Sequence, residues 1–333
     1  MNYYANQISP QGFIRHNEKR QITKTSNGLG IYILSYFLTM MFSATILSSI
    51  FSSYLKDTSF SFTVDIFVSV FSAFIPGLFY FLLSKNKPSQ LIKTNRIGFL
   101  KMLPLLFIGM AFSMLSNIAT SLVQSNMMFF GLENSIDFSN DVYSIQHMLL
   151  YFASTALVPA FAEEFAFRGI LMGSLRKYGD AFAIIVSSVL FGAMHGNIVQ
   201  IPFAFMLGLI FGYADCKANS ILPSILIHFC NNFYSVLMDV LSSNTYLSDN
   251  IVMAIQYLLM AAFCIIGLLS FVYIAKTDKG FFKMTSTEPN GYGNSNALSL
   301  KEKIKASLLS PAIIVLLVLF LLEMVLYLMP TSA

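Results

Sequence analysis

Five ionisable side chains and one amide stand where their neighbours are almost wholly apolar. Glu163, Glu164 and Arg168 lie in "AEEFAFRG" (162–169). His195 ends "FGAMH" (191–195), and His228 and Asn232 bracket "HFCNN" (228–232). A charge at the centre of a bilayer costs at least about 2.5–3.5 kcal/mol on insertion scales, so such residues are kept for a reason. Spacing says how they meet. Glu164 and Arg168 are four residues apart, share a helix face and can pair. Glu163 is turned by about 100° from Glu164 and is left free. His228 and Asn232 again share one face. Pro159, four residues before Glu163, frees the carbonyl of Thr155 and predicts a kink one turn above the acids.

These groups carry a definite chemistry. A buried carboxylate near a histidine can take a proton from water as a general base. A histidine and an asparagine on one helix face can donate hydrogen bonds to a developing oxyanion. An arginine-paired second carboxylate can hold the first in place. Together they suit amide hydrolysis without a covalent nucleophile. Glu163, His195 and His228 also match the protein ligands of a catalytic zinc in number, although not in H-E-x-x-H spacing. A zinc site and a metal-free site both stay open at this point.

The elements that must position them are membrane helices. Of 333 residues, 56% are hydrophobic and only 11% charged, and mean hydropathy is +0.68. A soluble domain carries about 25% charged residues. The apolar residues fall in blocks of about 20, the length of a crossing helix. The fold class expected is all-α, a polytopic membrane helical bundle of eight or nine transmembrane helices. Nine spans are read near 29–53, 62–84, 101–125, 147–172, 180–196, 200–215, 220–241, 252–275 and 307–329, the pair at 180–215 being short. No cleavable signal peptide is expected in the polar first 28 residues. Eighteen of the 20 Lys and Arg fall on one side if the N-terminus is cytoplasmic; Lys56 and the intrahelical Arg168 are the other two. A multi-pass cell-membrane protein with its N-terminus in the cytoplasm follows. The net charge of +4 serves this topology, and no nucleic-acid partner is expected.

Four regions result: a cytoplasmic polar tail at 1–28, a helical domain at 29–276 with the ionisable core at about 147–241, a flexible cytoplasmic linker at 277–306, and a last helix at 307–329. The linker ends in a short basic amphipathic piece around Lys301, Lys303 and Lys305. Cys216, Cys230 and Cys264 read as small buried hydrophobes. Ala204, Gly208 and Gly212 form a small-residue row that lets one helix approach another closely. At 1.5 Å per residue, Glu163 lies about 12–20 Å and His228 about 12–16 Å from the cytoplasmic ends of their spans. His195 lies about 20 Å along its own span and fits this depth least well.

The three stretches resemble the E-E-x-x-x-R, F-x-x-x-H and H-x-x-x-N motifs of the CAAX protease and bacteriocin-processing family of intramembrane endopeptidases. The resemblance covers about residues 150–240. It implies a peptidase in which Glu163 activates water with His195 assisting. His228 and Asn232 would stabilise the oxyanion, and Glu164 and Arg168 would act as structural support. A membrane-associated peptide or protein would be the substrate, and membrane lipids the surroundings. Two other readings stand beside it. One is a non-catalytic membrane scaffold or immunity or accessory protein with the same fold. The other is a transporter using the carboxylates as ion ligands, although no internal repeat of the kind common in transporters is found.

Overall fold

A computed structural model describes residues 9–134, 144–243, 247–281 and 297–330. Apolar helices dominate. α1 spans Pro10–Ile50, α2 Thr58–Ser84, the short α3 Pro88–Leu91, and α4 Phe99–Phe129. α5 is a continuous helical segment over Ile145–Tyr178. α6 (Asp180–Met194), α7 (Gln200–Ala218), α8 (Leu222–Ser242), α9 (Asp249–Thr277), α10 (Leu300–Leu308) and α11 (Pro311–Leu326) follow. One antiparallel pair of three-residue strands, Leu132–Asn134 with Leu328–Pro330, ties the end of α4 to the C-terminus.

Seven of these helices are long and apolar enough to cross a membrane. An eighth appears if α10 and α11, bent by 70° at residues 309–310, count as one span. The protein is thus a multi-pass helical membrane bundle, with fewer full spans than the nine read from the sequence. The difference lies mainly in α6. Its 15 residues rise about 22 Å, short of the hydrocarbon thickness of about 30 Å. α6 and α7 form an antiparallel hairpin that leaves and returns at one end of the bundle. The Arg176 guanidinium after α5 donates to Asn219 Oδ1 after α7 (3.2 Å). Ile221 N donates to Lys93 O there as well (2.8 Å). The helix ends that the charge distribution assigns to a common side therefore meet at a common end.

The polar N-terminal segment is not separate from the bundle. α1 starts at Pro10 with Ser9 accepting from Gly12 N, and runs unbroken into the first apolar block. Its first turns hold the C-terminal elements. Glu18 pairs with Lys303 at 3.1 Å, and Lys303 also donates to Tyr178 O at 2.8 Å. Arg15 pairs with Glu302, Ser26 Oγ donates to Ser307 Oγ (2.8 Å), and Asn27 Oδ1 accepts from Ala312 N at the start of α11. α10 is the basic amphipathic piece read from the sequence, capped by a reciprocal Ser299–Glu302 box. The linker residues 282–296 lie outside the described residues.

Close approaches fix the packing. In the small-residue row, a Cβ on Gly208 would come 2.9 Å from Ser188 Cβ. Gly212 faces Met172 and Ile184 in the same way. The tightest approach is Gly267 of α9 against α4, where a Cβ would meet Ala111 Cβ at 2.3 Å and Phe107 O at 2.7 Å. Backbone must move to admit it. Gly267→Ala is expected to lower stability by about 1–3 kcal/mol in a detergent melt. Gly28→Ala, with nothing within 4 Å of the added methyl, should not. The core runs through α5, α6, α7 and α8, with Phe167, Phe191, Phe211 and Ile227 buried at its centre. Leu83, Leu258 and Leu326 are more than two-thirds exposed, on the outward surface that hydrocarbon covers.

Candidate active site

Pro159 shapes the helix that carries the acids. It has no N–H to give, and the turns before it, Phe152–Leu157, widen to π-helix. The helix tightens to α over Val158–Glu164 and widens again over Phe165–Met172. The freed carbonyl of Thr155 does not go unpaired: Asn232 Nδ2 of α8 donates to it at 3.1 Å. Asn232 Oδ1 accepts from Asn231 Nδ2 (3.0 Å), and Asn231 Oδ1 accepts from Ser113 of α4. One amide thus fastens α8 to the distorted turn and still has a second N–H to offer. Asn232→Ala would strand the Thr155 carbonyl and the Asn231 amide. A loss of about 1–3 kcal/mol in thermal unfolding is the expected result.

Below that turn the acids meet His228. Arg168 Nη1 donates to Glu164 Oε1 at 3.1 Å, both side chains having no solvent exposure. The same oxygen sits 2.8 Å from His228 Nδ1. A carboxylate accepts only from a protonated nitrogen, so with Glu164 ionised Nδ1 is the donor and Nε2 faces away from this pair. Nε2 faces Glu163 Oε2 at 3.9 Å. That is beyond a direct hydrogen bond but short enough for one small molecule to contact both. Glu163 Oε2 is buried and has no hydrogen-bond partner among the described residues. The order is Arg168, Glu164, His228, gap, Glu163.

Aromatic rings hold this chain in place. The Arg168 guanidinium lies 4.2 Å from the centroid of Phe191 and 5.0 Å from that of Phe211. These contacts serve Nε and Nη2, which lack hydrogen-bond partners. Phe211 stacks on the His228 ring at 5.3 Å, and Phe191 meets it edge-on at 6.0 Å. Phe191, the first residue of "FGAMH", also meets His195 edge-on at 5.1 Å. Its carbonyl accepts from His195 Nδ1 (2.8 Å).

The structure departs from the sequence reading at three points. His195, at the end of α6, does not pair with Glu163: among the described residues no carboxylate lies within ion-pair distance of it, because its ring is turned back onto Phe191. Glu164 is more than support for its neighbour, since it fixes the histidine of another helix. The metal set fails a fit test. A catalytic zinc takes three protein ligands at about 2.0–2.2 Å. No group of three or more His, Cys, Asp or Glu converges among the described residues. Glu163 and His228 face each other, but His195 does not join them.

Three acids, two of them buried and one half-buried, were not anticipated. Asp215 accepts from Ser224 N (2.9 Å) and Ser224 Oγ (2.7 Å), and so caps the start of α8, the helix of His228 and Asn232. Asp180 accepts from Arg176 Nε at 2.9 Å at the start of α6. Both sit at the ends of apolar blocks, where acids read as headgroup contacts. Glu323 of α11 packs on Gly196: a Cβ there would come 2.5 Å from Glu323 Oε2. Gly196, with φ +60°, turns the chain directly after His195. A lone acid inside a continuous apolar helix was the signal for Glu323.

Residues 145–234 match the family described as "Type II CAAX prenyl endopeptidase Rce1-like". A Bacillus subtilis (strain 168) protein described as "Putative membrane peptidase YdiL" is 29% identical over 106 residues. The aligned part covers 32% of this chain and 43% of that relative, so less than half of the relative is spanned. No solved structure matches.

Proposed function

We propose that this chain, whose residues 145–234 match the Rce1-like CAAX prenyl endopeptidase family, hydrolyses a peptide bond of a membrane-associated protein or peptide. One observation carries the reading most directly. Glu163, whose side chain is 20% exposed and whose Oε2 is buried without a hydrogen-bond partner among the described residues, faces the outer nitrogen of a histidine whose other nitrogen is pinned by Glu164.

Charge counting makes the arrangement useful. Glu163, Glu164 and Arg168 sum to one negative charge when His228 is neutral. One further proton brings the cluster to neutrality. Glu163 and His228 are the two places for it. With the proton on His228, Glu163 is a carboxylate able to accept a proton from water at the gap. Nε2–H of His228 is then a donor aimed at the same space. Water attacks the carbonyl carbon as Glu163 takes its proton, and negative charge grows on the carbonyl oxygen. His228 Nε2–H and the second N–H of Asn232 are the donors for that oxygen. The proton held by Glu163 passes to the leaving amine as the C–N bond breaks. His195 keeps Nε2 available once Nδ1 is engaged by Phe191 O, and lines the substrate side rather than the base. Glu164 and Arg168 act through His228 as positioning residues.

The alternative, a scaffold that keeps the fold without chemistry, explains the Glu164–Arg168 pair. It does not explain why one oxygen of a second carboxylate, Glu163 Oε2, is buried without a hydrogen-bond partner among the described residues. Purified protein in lipid vesicles, incubated with membrane-anchored peptides, tests the reading. Cleavage that persists with chelator present is expected. Cleavage lost on chelation and restored by zinc would replace the glutamate mechanism. The absence of cleavage for every anchored peptide would favour the scaffold.

A further inference from the structure

At the cation-rich end of the bundle, away from the Glu163–His228 cluster, lies a cavity of about 510 Å³. Four cations line it: Lys24 of α1, Lys93 after α3, and Arg176 and Lys177 at the end of α5. Among the described residues no carboxylate lines it. Arg176 is, among the described residues, the one cation of the four with an acid in ion-pair contact, Asp180 at 2.9 Å. The neighbouring Lys303 is already paired with Glu18. The remaining wall is built from neutral hydrogen-bonding groups. Tyr80 and Ser174 hydroxyls meet each other at 2.8 Å, and Asn219 is held by Arg176. None of Glu163, Glu164, Arg168, His195, His228 or Asn232 belongs to this wall. Ser174 lies ten residues beyond Glu164, about 15 Å along the helix.

We infer that this cavity binds a phosphate group, and that its source is the headgroup of an anionic phospholipid. Concentrated positive charge in a concave site raises the local anion concentration. Cations from three separate chain segments surround the ligand, as a tetrahedral phosphate with several oxygens requires. The cavity sits at the ends of membrane-crossing helices, where lipid phosphates are the most abundant anions. Basic pockets between helices at that depth suit anionic headgroups, with each Lys or Arg near the surface adding to the attraction. The volume falls in the range of small-ligand sites and exceeds what a bare phosphate fills. The plain alternative is that these cations serve only to set the orientation of the chain.

The test uses the full-length protein purified in neutral detergent. Phosphatidylglycerol or phosphatidylcholine is added, with melting temperature and lipid adducts in native mass spectrometry as readouts. Phosphatidylglycerol should stabilise the wild type and be retained at concentrations about tenfold lower than phosphatidylcholine. The combined Lys24→Gln, Lys93→Gln and Lys177→Gln variant should lose that preference. The corresponding triple Lys→Arg variant should keep it, which separates lost charge from damaged folding. Equal response of the wild type to both lipids would overturn the proposal, as would a glutamine variant that retains the preference. Inorganic phosphate added to the wild type should compete only weakly with the lipid. Protection by phosphate alone equal to that by phosphatidylglycerol would overturn the lipid as the source.

Discussion

Glu163→Gln is expected to abolish peptide cleavage, by about 10²–10⁴-fold or more, while leaving the melting temperature of the purified protein unchanged. Both halves come from the same geometry. The carboxylate makes no hydrogen bond to the described protein, and its nearest charged neighbour, His228 Nε2, is 3.9 Å away. An amide of nearly the same shape therefore removes no native contact and relieves a buried charge. What it cannot do is accept a proton from water at neutral pH. Glu164→Gln is the informative contrast. It keeps an oxygen for His228 Nδ1–H but loses the charge that balances Arg168, so it should lower stability and cleavage together. Rates on an anchored fluorogenic peptide, beside melts of both variants, separate the two roles. If Glu163→Gln cleaves like the wild type, Glu163 is not the base, and His228 with Glu164 would have to be reconsidered in that role.

How much of this was legible in the sequence follows from the range of each interaction. The Glu164–Arg168 pair was readable because four residues on one helix fix the geometry. The carbonyl freed by Pro159 was readable for the same reason, but its partner was not. Asn232 is 77 residues away, and only packing of α8 on α5 brings its amide to Thr155. The contact between His228 and Glu164 spans 64 residues and is likewise a product of packing. Depth along each span placed these residues at one level without saying which would touch. His195 shows the limit. Its depth was the least consistent, and α6 is in fact too short to cross, with His195 at its end facing Phe191. Phe191 itself was visible only as a motif letter. Its meaning, one ring shared by Arg168, His195 and His228, needed three helices in place. Hydropathy read α6 as a span because composition was apolar enough, while length decided otherwise. Glu323 was passed over because it belongs to a helix far along the chain from the motifs, and no spacing rule connects α11 to His195.

Arg168→Ala is expected to lower the stability of the folded protein by about 3–5 kcal/mol, a large part of the margin of a typical domain. Arg168 is the bulkiest side chain in the protein with essentially no solvent exposure. Its removal leaves Glu164 Oε1 with His228 as its remaining partner and takes the guanidinium from between Phe191 and Phe211. Three costs add: an uncompensated buried carboxylate, a lost cation–π pair, and a void between two rings. Glu164 can escape the first by taking up a proton, but a neutral carboxyl no longer fixes the proton of His228 on Nδ1. Cleavage should then fall even in the fraction that folds. Arg168→Lys keeps the charge without the planar fork and should recover part of the stability. The pair Arg168→Met with Glu164→Gln removes both charges. It should be more stable than Arg168→Ala, because a buried pair replaced by neutral groups leaves nothing stranded. The same double variant should still lack efficient cleavage, since His228 would face an amide with no preference for its protonated form. A melt of Arg168→Ala equal to wild type would show that Glu164 is neutral in the native protein. The chain from Arg168 through Glu164 to His228 would then be a line of hydrogen bonds without the charge that the proposed mechanism needs.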